Sequence, residues 1–65
     1  MRLRLLGTNS EQGTCPAVYV TDRGTFVVQG KIVTDPEALG DVVNLADDET
    51  LVEISPELVR FFDRE

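Results

Sequence analysis

Two β-branched, aromatic-bearing runs, Ala17-Val18-Tyr19-Val20-Thr21 and Thr25-Phe26-Val27-Val28-Gln29, stand three residues apart, and this spacing constrains the fold more than any other feature of the chain. Such runs suit a pleated, half-buried surface. The connecting Asp22-Arg23-Gly24 has the length and glycine position of a three-residue hairpin loop, in which a type I turn is closed by a residue in the left-handed region. Gly24 fits that position because it carries no Cβ. Pro16 cannot donate to a sheet ladder, so it belongs at the start of the first run.

Around the hairpin the remaining elements follow from periodicity and punctuation. Leu3 and Leu5 alternate with Arg2 and Arg4, which predicts a short first strand with the arginines outward. Gly7-Thr8-Asn9-Ser10-Glu11-Gln12-Gly13-Thr14 favours turns and reads as a surface loop. After the hairpin, Gly30-Lys31 allows a bend, and Ile32-Val33 either extends the strand or begins another. Thr34-Asp35-Pro36-Glu37 carries helix-start chemistry, with Thr34 or Asp35 as cap, Pro36 in the first turn and Glu37 at the positive end of the helix dipole. The predicted helix holds Ala38, Leu39, Val42 and Val43 on one side and ends near Asn44, since Gly40 weakens it by about 1 kcal/mol relative to alanine. Asp47-Asp48-Glu49 reads as an exposed turn, Thr50-Leu51-Val52-Glu53-Ile54 as a strand, and Ser55-Pro56-Glu57 as the start of a closing helix that presents Leu58, Val59 and Phe62.

The expected architecture is one α+β domain over residues 1–65: a small, largely antiparallel sheet in the order β, ββ, α, β, α, with two short helices packed on one face. An SH3-like barrel suits the pattern less well, because it seldom spares residues for two helices. Sixty-five residues sit near the lower limit for a chain that folds without staples. The usual staples are missing. Cys15 is the single cysteine and there is no histidine, which leaves no internal disulfide and no His/Cys zinc site. No apolar run approaches the roughly 20 residues of a spanning helix, so the expected setting is the cytoplasm.

The net charge of −6 is unevenly spread. Through Thr34 the bases Arg2, Arg4, Arg23 and Lys31 outnumber Glu11 and Asp22, whereas from Asp35 onward ten acids face only Arg60 and Arg64. Direct binding of nucleic acid needs a positive surface that displaces counterions, so the expected partner is another protein instead. A solvated acidic surface that keeps the chain dispersed accounts for the same charges. Nucleophilic catalysis would rest on Cys15 without its usual histidine base, and no enzymatic role is expected. Asp47, Asp48 and Glu49 are contiguous and lack the alternate spacing and glycine of a calcium loop, so neither metal nor cofactor is expected. Two places remain where residue type suits contact with a partner. One is the outer side of the hairpin, with Tyr19, Arg23, Thr25 and Val27, which lies outward when Val18, Val20, Phe26 and Val28 point inward. The other is the acidic turn Asp47, Asp48 and Glu49. A different class of reading makes Cys15 and the 7–14 loop a redox or small-ligand sensor; the plain alternative is a small buried thiol.

The stretch from Gly13 to Gly30, with its Cys15-Pro16, Tyr19, Asp22-Arg23-Gly24-Thr25 and Val27-Val28-Gln29-Gly30, together with Asp35-Pro36-Glu37, resembles a family of short uncharacterised actinobacterial proteins. The likeness runs over most of the chain and ends in Val52-Glu53-Ile54 and Leu58-Val59-Arg60-Phe61-Phe62. Genes of that family tend to lie beside helix-turn-helix regulators, which implies a regulatory neighbourhood and assigns no activity or site residue. Val52-Glu53-Ile54-Ser55-Pro56-Glu57-Leu58 also resembles, over a shorter span, the looped-hinge DNA-binding domains of transition-state regulators, but it is acidic where those present arginines. The resemblance and the charge together lead to the expectation of an acidic interaction module that accompanies a helix-turn-helix regulator, with a homodimer as a further option for so small a domain.

Overall fold

The computed structural model describes residues 1–8 and 16–63. Strand β1 spans Leu3–Thr8, β2 Ala17–Thr21, β3 Phe26–Gln29 and β4 Lys31–Ile32; helix α1 spans Pro36–Gly40, β5 Val52–Glu53, and a 3₁₀ helix Pro56–Asp63 follows. β1, β2 and β3 form an antiparallel sheet with β2 in the centre, and β4 pairs antiparallel with β5 in a separate two-stranded ribbon. The arrangement is mixed and mostly strand.

The hairpin forms where its sequence places it. Thr21 N–H donates to the Thr25 carbonyl at 2.8 Å, Gly24 N–H donates to the Thr21 carbonyl at 3.2 Å, and Gly24 has φ of 82°. Thr21 contributes more than its sequence position suggested. Its Oγ1 accepts from Arg23 N–H at 3.0 Å and Thr25 N–H at 3.2 Å, and lies 2.8 Å from Thr25 Oγ1. A short hydroxyl side chain thereby satisfies turn donors that would otherwise need water.

Side chains opposed across a ladder share a face. The register Gly7↔Val18↔Val28 and Arg4↔Val20↔Phe26 defines one face, and Leu5↔Tyr19↔Val27 with Leu3↔Thr21 the other. The 3₁₀ helix covers the first face: Phe61 lies against Gly7, and Phe26 meets Phe62 edge-on with ring centroids 5.1 Å apart. Val18 and Leu58 are fully enclosed between the two layers, with Val20 nearly so, and Ala17 is buried on the opposite face. Val18, Val20, Val28 and Phe26 thus share the packed face, the condition under which Tyr19 and Val27 lie on the other, although Phe26 stays 40% exposed.

β1 departs from what its alternation predicts. Leu3 and Leu5, expected inward, are 49% and 53% exposed, and Arg4 shares the packed face with Val20. The cause is a register shift between Leu5 and Gly7, a bulge that inserts one residue and changes which face the strand presents. It carries Gly7 onto the packed face, where the missing side chain leaves room for the Phe61 ring. The strand also runs through Gly7 and Thr8, residues expected in the loop.

The expected pair of packed helices is another difference. α1 starts as read, with Asp35 as N-cap and Pro36 in the first position, but Asp35 makes no side-chain capping bond, the helix stops at Gly40 and it buries no residue. The closing segment begins with Leu58 N–H donating to the Ser55 carbonyl at 3.1 Å, the i to i+3 spacing of a 3₁₀ helix. Glu57 N–H reaches Ser55 Oγ at 3.4 Å, a long capping bond.

Candidate interaction surfaces

The hairpin residues singled out by sequence divide into two groups. Tyr19 and Val27 are directly opposed on the face away from the 3₁₀ helix, with Leu5 completing the row on β1, and both are half-buried. The Tyr19 hydroxyl donates to Gln29 Oε1 at 2.8 Å, which holds the ring along its own sheet. Arg23 and Thr25 lie exposed at the turn, where the Thr25 hydroxyl is engaged with Thr21. The apolar row on this face is therefore Leu5, Tyr19 and Val27, with Leu3 beside it. The two leucines escape a sequence-based reading because the bulge that exposes them depends on a packing partner far along the chain; Gly7 inside an otherwise regular strand pattern is the available signal.

Asp47, Asp48 and Glu49 belong to a different part of the molecule. Residues 33–51 make an excursion between β4 and β5, closed at its base by Val33 N–H donating to the Leu51 carbonyl at 3.0 Å. Glu49 closes its own turn, since its Oε1 accepts from Ala46 N–H at 3.0 Å while its N–H donates to the Ala46 carbonyl at 3.1 Å. Asp47 and Asp48 are exposed. Among the described residues no side-chain hydrogen bond joins this turn to the hairpin, so the two groups stand as separate surfaces. From Lys31 through Glu57 no residue is buried. This acidic arm nevertheless carries large apolar side chains in contact with solvent, with Ile32 67% and Val43 79% exposed and Leu39, Leu45 and Val52 also open.

A third feature lies at the open end of β1 and β2. Arg2, Leu3, Arg4, Val20, Thr21, Asp22 and Gly24 line a cavity of about 340 Å³. Cys15 and residues 9–14 of the proposed sensor loop lie outside the described residues, while Gly7 and Thr8 are part of β1. Among the described residues no group of three His, Cys, Asp or Glu side chains is placed to hold a metal ion, and no helix is long and apolar enough to cross a membrane. No protein-family model, curated protein or solved structure matches this chain.

Proposed function

We propose that this chain is a non-enzymatic protein–protein interaction module, an acidic accessory of the cytoplasm that docks onto the basic surface of a DNA-binding regulator. The observation that carries this reading is the composition of the arm: a continuous stretch without a buried residue in which Asp35, Glu37, Asp41, Asp47, Asp48 and Glu49 are interspersed with exposed Leu39, Val43 and Leu45. Exposed apolar groups set among like charges suit a docking surface, because the acids steer a basic partner and the apolar groups hold it. The same charges argue against direct contact with nucleic acid. The hairpin side of the sheet, with Tyr19, Arg23, Thr25 and Val27, offers a second contact surface in the same complex.

Affinity capture at low salt, followed by titration of the purified complex, tests the proposal. The expected partner is a basic regulator, and D47N/D48N should weaken its binding by about tenfold, as loss of two steering charges does. Glu49 is left in place because it closes the turn. Capture that returns no regulator, or an affinity indifferent to salt and to both substitutions, would overturn it.

A further inference from the structure

The open edge of β1 combines three properties. The first is unpaired backbone. Asp22 N–H donates to the Arg2 carbonyl at 3.1 Å, and Arg4 pairs with Val20. In an antiparallel ladder the inward-bonding residues alternate with outward-facing ones, so the N–H and C=O groups of Leu3 and Leu5 point away from β2. β1 is the terminal strand of its sheet, and no described strand pairs with its outer side. The second property is amphipathic alternation. Leu3 and Leu5 stand half-exposed on the open face, and Arg2 and Arg4 stand on the other. The third is charge. Arg2 and Arg4 both line the 340 Å³ cavity together with Val20, and Asp22 is the single carboxylate among its lining residues. Neither arginine side chain has a hydrogen bond or ion pair with a described residue.

We propose that this edge binds an extended acidic segment of a partner protein, added antiparallel to β1, with apolar side chains over Leu3 and Leu5 and carboxylates beside Arg4 and Arg2. Strand addition supplies main-chain hydrogen bonds, and alternate side chains supply selectivity. Arginine meets a carboxylate through two parallel N–H donors, which favours acid over amide at those positions. The bulge after Leu5 limits the open register, so the recognised segment is short. A second copy is the competing occupant, but the antiparallel register that satisfies Leu3 and Leu5 in both copies sets Arg4 directly opposite its own equivalent. Like charges so opposed are destabilising. This site does not rest on the acidic-arm reading, since it lies on another element and takes the opposite charge.

The test uses the full chain, labelled with nitrogen-15, and two capped pentapeptides: one alternating valine and glutamate, the other valine and lysine. The glutamate peptide should shift the amide resonances of Leu3 and Leu5 and leave Val27 and Val28 unmoved. Arg4→Glu should weaken that peptide by about tenfold and strengthen the lysine peptide, a charge-swap that damage to the fold would not produce. Equal binding of the two peptides to the unaltered chain, or no shift at Leu3 and Leu5 up to about 5 mM peptide, overturns the proposal. So does a concentration-dependent dimer in sedimentation equilibrium that protects those same amides.

Discussion

At the scale of single residues the two informative glycines act for different physical reasons, and mutation separates them. A Cβ on Gly7 would collide with the Cε1, Cζ and Cδ1 atoms of Phe61, so Gly7→Ala should cost about 1–3 kcal/mol, the range for overpacking. Phe61→Leu made in the same chain should return part of that loss, because the two residues share one space and their effects are not additive. A Cβ on Gly24 meets nothing within 4 Å, yet the residue sits at φ of 82°. Gly24→Ala should therefore cost about 1–2 kcal/mol from backbone strain alone, and no neighbouring substitution should rescue it. Gly24→Asn should be milder, since asparagine tolerates the left-handed region. Urea unfolding of these variants checks all of these values, and a Gly7→Ala chain as stable as the parent would contradict the packing described for Phe61.

At the scale of elements, stability should divide along the boundary between the sheet and the arm. Leu58 is fully enclosed against the sheet, and Leu58→Ala should cost about 2–5 kcal/mol, enough to unfold a domain of this size or nearly so. By contrast α1 buries nothing, and Leu39→Ala should change stability by less than about 0.5 kcal/mol. Hydrogen exchange should show the same boundary, with slow amides at Val18 and Val20 and fast ones from Glu37 to Gly40. Slow exchange in α1 would mean that the arm is covered, and would remove it as a docking surface. These elements also show which parts of the fold are legible in the sequence. The hairpin can be read because Gly24 and the flanking β-branched residues act locally, and the Asp35-Pro36 and Ser55-Pro56 starts can be read for the same reason. The face of β1 cannot, since the bulge answers to Phe61, more than fifty positions away. Nor can the failure of α1 to pack, because the apolar spacing of its residues is the same whether or not a surface lies against them. Among the candidate contact residues, Tyr19 and Val27 are legible from strand alternation, while Leu3, Leu5 and the cavity lined by Arg2 and Arg4 require the register.

At the scale of the whole molecule, the chain exposes 5211 Å² and has a radius of gyration of 13.1 Å. A folded monomer of 7.2 kDa would expose roughly 4,100 Å², and 65 residues would pack to a radius of about 11 Å. The large apolar side chains open to solvent at Ile32, Leu39, Val43, Leu45 and Val52 lie in the arm, together with most of the carboxylates. Alone, the chain should unfold in urea with a slope at or below about 1 kcal/mol/M, the low end for small proteins, because folding removes little surface. With the proposed basic partner at a free concentration about one hundred times the dissociation constant, it should gain about 2.7 kcal/mol, which for so small a domain raises the melting temperature by roughly 10–20 °C. Salt shortens the range of the charges that steer the complex, so the gain should shrink as salt is raised from about 0.1 M toward about 1 M, where the screening length falls to about 3 Å. Thermal melts of the free chain and the complex across that series decide the matter: a shift that survives the highest salt undiminished would assign the binding to the apolar side chains alone and remove the acids of the arm from the mechanism.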